Sequence, residues 1–589
     1  MIRKHRFAFA LLAVLAATLF LAPIAKREVF QFRDHFDYFQ PLRWFTATEL
    51  RAGRLPLWNP YSASGEPWLA NPQTGVFYPP AWIHVVLPFD TAYMLFLYFH
   101  LVLLAWGMYL LLQKFNSRGA ALVGAAAILF SGPVLSLLDV SNNLATLAWL
   151  PLVLWCATEG AWRRGGIVLA LSFLAGEPFF AGLAAVMYAL VRRRRDVLGT
   201  AAIAIGLSAV QLLPFLELVR GSDRSGGVMD AAEVLRDSMP LREWLRVVVP
   251  PSLFAQPAAQ SFIPVVYGGV IVVILALVGL STLRRRRDLV GWLALLALAV
   301  LIAAGPEFLV RLPLTLFRYP SRLIPIAMLA LGAIAAAGWD RLRADKRWLD
   351  LIIVALVAAD LLPRAVPLLA TGRFDPHIVP YERSVGASQK FLRVLNDDRQ
   401  RLASIGGYLN LYDRRFDAFT GAPLISRSYL RSYIRWQRYP RRVDLDAAAI
   451  GYVLSSRAMP EELARIARVG GVSVYEIPSP RAMAVSIAGT RVTPLMWDFD
   501  SSRARVTSNT TERSTVTIAQ CDASGWTVTV DGKDAKKSLF FDVFRAVDVP
   551  AGRHEIVWAY RPRALFFGAV MTAITLASLT LSVFVKRWR

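Results

Sequence analysis

Residues 30–80 read FQFRDHFDYFQPLRWFTATELRAGRLPLWNPYSASGEPWLANPQTGVFYPP and separate two apolar runs. Asp34 and Asp37 stand just past the first run. Ionisable groups at the edge of a membrane helix cost free energy to keep, which makes both aspartates functional candidates. The stretch is dense in Trp, Tyr, Asn, Gly and Pro, so short turns, not one long helix, set the direction of its rings and amides.

Outward from this loop the chain is apolar. Of its 589 residues 56% are hydrophobic, and the mean hydropathy is +0.44. The apolar residues come in runs of membrane-spanning length, which excludes an ordinary soluble domain. The net charge of +24 comes from arginines gathered at the ends of apolar runs. That is the pattern of the positive-inside rule, and no basic stripe with interleaved aromatics calls for nucleic acid. The two cysteines, Cys156 in a span and Cys521 in the distal part, are too far apart in this reading to form a disulfide.

MIRKHR followed by FAFALLAVLAATLFLAPIA has the basic and apolar parts of a signal peptide, but no convincing cleavage site follows. The reading is a retained first helix, with a cytoplasmic N-terminus. Further spans are expected at about 88–112, 119–137, 143–158, 198–216, 264–282, 289–304, 323–339, 348–366 and 564–584. The tip LDVSNN places Asp139, Asn142 and Asn143 on the side of the first loop, where a polar pocket and a wetted turn are equally good readings. Residues 166–190 have Arg163 and Arg164 before them and Arg192 to Arg195 after them. Two short helices meeting at Gly176-Glu177-Pro178 keep both clusters inside, and a single kinked helix is the alternative. In the broken form Glu177 looks into a site lined by protein.

From about residue 370 the chain turns polar, with short alternating runs. A helix is expected near 388–396 and strands at GYVLSS and SVYEIP. From about 482 the reading is antiparallel sheet: ARVTSNT, STVTIAQCD, WTVTVDG and HEIVWAY, with a hairpin at the Asp-Gly of TVTVDGK. The expected fold is a polytopic α-helical membrane protein of about 12 membrane helices, counting one broken pair, with a mixed α/β, largely β-sheet external C-terminal domain. Residues 1–370 would form the transmembrane part, with a large first external loop at 26–86. Residues 371–562 would be external, and 563–589 a final membrane helix and basic cytoplasmic tail. The whole is placed in the bacterial cytoplasmic membrane. There is no Rossmann glycine fingerprint, Walker A sequence, zincin motif or nucleophile elbow. His35 and His84 are the only histidines near the loop, and neither is read as a metal ligand.

LRAGRLPLWNPYSASGEPWLANPQTGVFYPP, QLLPFLEL, FRYPSR, GWTVTVDGKDA and VPAGRHEIVWAYRP, in this order over most of the chain, resemble the bacterial YfhO-like membrane protein family. That family is similar to the GT-C superfamily of glycosyltransferases, which use polyprenyl-phosphate-linked sugars. The resemblance implies a membrane glycosyltransferase acting on an extracytoplasmic lipid, cell-wall polymer or surface glycan. It also implies a base in the first external loop near the end of the first helix, a position that Asp34 matches best. Asp37 departs from the adjacent acidic pair of some members.

Transfer needs a base for the acceptor hydroxyl and positive charge for the departing phosphate. Asp34 is the candidate base. Asp37, one turn on if the motif is helical, would orient the acceptor or bind a divalent ion, with simple solvation as the alternative. Most arginines are internal, so the external Arg318 and Arg322, beside Tyr319, and then Arg220 and Arg224 are the phosphate candidates. Headgroup contact is their alternative, and it is the main reading for Lys26, Arg27, Arg43, Arg51 and Arg54. Glu177 would pair with an arginine or meet sugar hydroxyls. Trp58, Asn59, Asn71, Gln73 and Tyr78 would recognise sugar or carrier by stacking and hydrogen bonds, with an interfacial belt as the competing account of Trp58 and Tyr78. Trp526 and Trp558 read as core residues of alternating strands. Partners are then the lipid-linked donor, a lipid or envelope glycan acceptor and membrane lipids. No cofactor is required beyond a divalent cation as a candidate. The competing functions are a glycolipid transporter or flippase and a non-catalytic envelope assembly factor.

Overall fold

A computed structural model describes residues 2–225, 231–250, 261–311, 318–343, 346–375, 390–394, 408–411, 414, 416–418, 424–438, 441–455, 459, 463–469 and 472–587. Five helices are long and apolar enough to cross a membrane: Phe89–Leu112, Arg194–Gly221, Pro320–Leu342, Arg347–Leu369 and Arg563–Ser582. Shorter apolar helices include His5–Ala17, Arg118–Phe130, Pro178–Val191, Val270–Leu280 and Asp288–Ala303. The stretches expected as single spans at about 119–137 and 143–158 are each divided. Helix Arg118–Phe130 is followed by Gly132–Ser136, and Ser141–Leu147 by Leu150–Thr158. A proline at the first turn of Gly132–Ser136 and another in that of Leu150–Thr158 explain the restarts, since proline is at home there and disruptive further in.

Small residues let the helices meet backbone to backbone. A Cβ on Gly338 would stand 1.8 Å from the Leu275 carbonyl oxygen, and one on Gly279 2.2 Å from that of Ile334. Helices Val270–Leu280 and Ile324–Leu342 are therefore in direct contact, the close packing on which helix association in lipid depends. Residues 166–190 adopt the broken form, as Trp162–Leu174 and Pro178–Val191.

Strand β1 (Glu28–Phe30) pairs antiparallel with β2 (Thr371–Arg373), so the exit of the first helix is tied to the start of the distal part. Next come β3 (Lys390–Val394), β4 (Ile450–Ser455), β5 (Ala464–Val469) and β6 (Val472–Glu476), in the order β3-β4-β6-β5. Of the stretch expected as a helix near 388–396, the described residues Lys390–Val394 are a strand paired parallel with β4, and the sheet partner decides the geometry.

The remaining strands are β7 (Ala484–Ala488), β8 (Arg491–Pro494), β9 (Trp497–Phe499), β10 (Arg503–Thr510), β11 (Ser514–Cys521), β12 (Trp526–Val530), β13 (Lys533–Ala535), β14 (Lys537–Phe540), β15 (Phe544–Val549) and β16 (Gly552–Tyr560). They form two antiparallel sheets, β13-β12-β16-β10-β9 and β14-β15-β11-β7-β8. The β12–β13 hairpin turns at Asp531-Gly532, both at positive φ, as that dipeptide favours.

The core of these sheets is not closed by their own residues. Trp58 and Ala63 of the first loop are buried in it, beside Trp526, Trp558 and Tyr560. The Trp58 amide donates to the Ser501 carbonyl (2.8 Å), its indole N–H to Gln520 (3.2 Å), and the Cys521 amide to the Ser64 carbonyl (2.6 Å). Arg545 is buried with its Cζ 3.6 Å from the Trp526 ring centroid and 5.6–5.8 Å from those of Trp558 and Trp58. Burial pulls its guanidinium down to about 9. Both cysteines are free and buried.

Trp58→Ala should remove about 3–5 kcal/mol from the distal sheets, whereas Leu55→Ala, half-exposed in the same loop, should cost about 0.5 kcal/mol at most. Denaturant unfolding in detergent, followed by tryptophan fluorescence, measures the difference. Equal midpoints for the two variants would show that the loop is no part of that core.

Candidate functional site

Arg33 lies at φ +45°, and the next residues wind as a π-helix, His35–Phe39, before the chain enters helix Gln40–Arg51. Wide turns of this kind occur chiefly at functional sites. Here the turn brings Arg33, Asp34, Asp37 and Tyr38 to one cavity of about 350 Å³. Gln73, Asn143, Glu177, Arg236, Asp237, Phe262, Arg318, Tyr319 and Arg322 complete its polar and aromatic lining.

Each wall is held by an identifiable contact. Asp139 accepts from the His35 amide (3.2 Å) and pairs with Arg33 (Nε–Oδ2 3.0 Å), so one buried carboxylate fixes both neighbours of Asp34. Arg33 also donates to the Ser261 carbonyl. The Asp37 carbonyl accepts the Tyr408 amide (2.6 Å), and the Tyr38 hydroxyl donates to Gln73.

Across the helix break, Gly176 sits at φ +111°, where a Cβ would meet the Pro72 carbonyl oxygen at 2.9 Å. Glycine is required there both for the dihedral and for the approach of the first loop. Glu177 caps the following helix by accepting from the Phe179 amide (3.3 Å) and pairs with Arg322 (3.3 Å). Arg322 is buried among the rings of Phe262, Phe179 and Tyr319, and its Nε has no hydrogen-bond partner among the described residues. Tyr319, at φ +58°, stacks on Phe262 with centroids 5.4 Å apart. Arg318 pairs with Glu233 (2.9 Å) and lies over the Tyr319 ring. Asn143 is buried, with neither Oδ1 nor Nδ2 hydrogen-bonded among the described residues.

Burial pushes the Asp34 carboxyl above the ordinary aspartate value, against the pull of Arg33 and Arg318. Burial, and then the charge of Asp34, raise Asp139 well above it, with Arg33 opposing. Asp237 is raised by burial against Arg236. Burial and Arg33 lower His35 to about 3, which leaves it neutral, with Nδ1 2.7 Å from the Tyr93 hydroxyl. Among the described residues no group of three or more His, Cys, Asp or Glu could hold a metal ion.

Of the residues singled out in the sequence, Asp34, Asp37, Gln73, Glu177, Arg318, Tyr319 and Arg322 line this cavity together. Asn71 sits beside it but spends its side chain capping the turn at Pro72, accepting from the Gln73 amide. Trp58 is taken up by the sheet core. Asn59 closes a small loop by bonding Glu66 and the Tyr61 amide. Tyr78 is buried, its hydroxyl held by His100 (2.6 Å) and Trp149 (2.8 Å). These three do not face the cavity, because apolar rings and short-range amide bonds bury them first. Arg220 is exposed at the end of helix Arg194–Gly221, and Arg224 is outside the lining. Burial, then Arg318, lower the Arg224 guanidinium.

Arg43 is not at a headgroup either. It is buried and donates to the Thr74 carbonyl, while Arg51 and Arg54 bond the His84 carbonyl and Glu49. The sequence reading missed Arg33, Tyr38, Arg236, Asp237 and Phe262. Arg33 adjoins Asp34 and could have been found there, but nothing periodic marks 236–237 or 262.

Residues 481–572 match the family described as bacterial membrane protein YfhO. No curated protein matches the chain. Among solved structures, a cryo-EM structure of the arabinofuranosyltransferase AftD from Mycobacteria is similar, at 12% identity and TM-score 0.53, with 95% of this chain and 57% of that one covered. Its R1389S variant is similar at 12% identity and TM-score 0.50, with 95% and 60% covered. The chain therefore spans less than two thirds of the proteins whose fold it shares. The resemblance to the YfhO family thus rests on the distal segment by sequence, and the likeness to the arabinofuranosyltransferase structures is one of fold.

Asp139→Ala would leave Arg33 without its carboxylate and release the His35 amide. A loss of about 3 kcal/mol is expected, as for other broken buried pairs, read from denaturant midpoints in detergent. A midpoint equal to wild type would mean that Arg33 and His35 are held by something else.

Proposed function

We propose that the chain is a membrane glycosyltransferase, moving a sugar from a polyprenyl-phosphate-linked donor to a lipid, cell-wall polymer or surface glycan on the extracytoplasmic side. The observation that carries this reading is one cavity in which two loop aspartates meet guanidiniums from other elements of the fold. About twelve membrane crossings, the transmembrane unit 1–370 and the external unit 371–562 belong to the same proposal. So does placement in the bacterial cytoplasmic membrane.

Asp34 takes the proton of the acceptor hydroxyl. The acceptor oxygen bonds the anomeric carbon as the bond from that carbon to the phosphate oxygen breaks, and the phosphate leaves with the electron pair. Arg322, with an uncommitted Nε, and Arg318 stabilise the phosphate. Tyr319 and Phe262, stacked beside them, offer an apolar face to the sugar or carrier. Asp37, Gln73 and Asn143 hold hydroxyls, the last through its uncommitted amide. Glu177 keeps Arg322 in place. A divalent cation, if used, would add charge at the phosphate.

Purified protein in lipid, given a panel of radiolabelled polyprenyl-phosphate sugars with native lipid and wall acceptors, tests the reading. Asp34→Asn should bind donor as wild type does and lose at least about 100-fold in kcat, within the range of general-base catalysis. The base works deprotonated and its carboxyl is raised by burial, so the rate should climb with pH through a limb above the ordinary aspartate value. Turnover by Asp34→Asn at the wild-type rate would sink the assignment, and donor movement between leaflets without transfer would favour a flippase.

Arg322→Gln should lower kcat by about 10²-fold or more, since its charge is needed most as the phosphate departs. Assay of the single variant with saturating donor separates this from weaker binding. An effect confined to KM would make Arg322 a ground-state binding residue only.

A further inference from the structure

A second cavity, of about 150 Å³, lies apart from the aspartates, between the first loop, the end of helix Arg194–Gly221 and the distal sheets. Trp58, Pro214, Leu218, Tyr429, Tyr560 and Pro562 give it a largely apolar wall. Its depth relative to a bilayer follows from helix length. Arg194–Gly221 has 28 residues, about 42 Å at 1.5 Å each. That matches a bilayer of about 40–45 Å including its headgroups. With Arg192 to Arg195 at one headgroup layer, Gly221 reaches the other. The neighbouring helix Arg563–Arg587 runs antiparallel, Thr572 bonding Gly206 and Val210 (3.0 and 3.1 Å), and it begins beside the same cavity at Pro562. The cavity therefore lies at headgroup depth in the leaflet on the loop side.

Cations stand next in the chain to residues of its lining. Gly221 and Ser426 line it, and their chain neighbours are Arg220 and Arg427. Ser222 and Ser426 form an isolated bridge, and Arg427 donates to the Ser222 carbonyl (2.9 Å) and bonds Ser225. Helix Arg427–Arg438 is thus seated on the end of the membrane helix. It buries Tyr429, Tyr433 and Trp436 and exposes Arg427, Arg431, Ile434 and Arg435, two faces at helical spacing. Arg435 is paired with Asp444. Among the described residues, Arg220, Arg427 and Arg431 have no carboxylate partner. Of the acids on the cavity, Asp522 pairs with Lys537 and Glu66 accepts from Asn59, while Glu217 shares a helical turn with Arg220.

We propose that this is a binding site for one anionic phospholipid, its phosphate on the arginines and its glycerol and upper acyl carbons in the cavity. A soluble polyanion would satisfy the arginines but leave the apolar cavity unused. A zwitterionic lipid would bring its own cation against theirs. An anionic lipid satisfies both. The site would hold the distal sheets to the bilayer independently of any chemistry at Asp34.

The test uses the full chain in nanodiscs of phosphatidylcholine, with and without phosphatidylglycerol. The variants are Arg220→Gln/Arg431→Gln, which removes charge, and Leu218→Trp, which fills the cavity. Wild type should retain one more phosphatidylglycerol per chain than either variant by native mass spectrometry. Phosphatidylglycerol should raise its Tm by about 5 °C and leave both variants nearly unmoved. In pure phosphatidylcholine all three should melt together. Three results would each overturn the proposal: equal lipid retention and Tm rise in all three proteins, variants that melt early in pure phosphatidylcholine, and a soluble polyphosphate that reproduces the full rise there.

Discussion

The pairing of Glu177 with Arg322 is the constraint from which the rest of the site follows. Both are buried where an apolar bundle surrounds them, and neither charge would be tolerated there alone. Glu177 is available because the helix breaks before Pro178, and the break is tolerated because Gly176 accepts both a positive φ and the first-loop backbone against it. Arg322 is available because Tyr319 takes a left-handed turn before Pro320 restarts the chain as a helix. Two interruptions of regular structure thus compensate one another. The irregular backbone occurs only where protein covers it or a polar cavity opens, the condition that the membrane imposes.

The first loop belongs to two cores at once. Its beginning is fixed by Asp139 from the helical side, and its middle supplies Trp58 and Ala63 to the sheets. Between them the Tyr408 amide reaches the Asp37 carbonyl. The distal part is therefore bonded directly to the loop that carries the aspartates. Movement of the sheets would pull on the same few residues that carry Asp37 and Gln73.

What could be read in the sequence had a local physical cause. Basic clusters on both sides of 166–190 favoured a break over a single kinked helix, and the structure has one. Alternation and Asp-Gly gave the distal hairpin. Asp34, Asp37, Glu177, Arg318 and Arg322 were legible because charge is rare and costly next to apolar spans. Trp58, Asn59 and Tyr78 were misplaced for the opposite reason. An aromatic or amide in a turn-rich loop has many uses, and the choice is made by partners distant in sequence, such as Gln520 for Trp58 and Trp149 for Tyr78. Lys390–Val394 show the same effect on backbone structure, where pairing with β4 overrides a run that reads as helix. Asp237 and Phe262 come from a connection with no period at all, and only the folded chain brings them to the cavity.

Charge at the cavity is separated more than it is unbalanced. Asp34 and Asp37 come from the loop, while Arg318 and Arg322 come from the turn before a membrane helix. Arg33, the cation nearest in sequence to the aspartates, is already committed to Asp139 and the Ser261 carbonyl. Its charge opposes the raising of both the Asp34 and the Asp139 carboxyls. Arg322 meets Glu177 at 3.3 Å, and its Nε has no hydrogen-bond partner among the described residues. A cavity that were simply basic would hold any anion. Acids set apart from half-committed arginines instead favour a ligand that is anionic at one end and hydroxylated at the other, and they favour it most when negative charge grows at the arginine end.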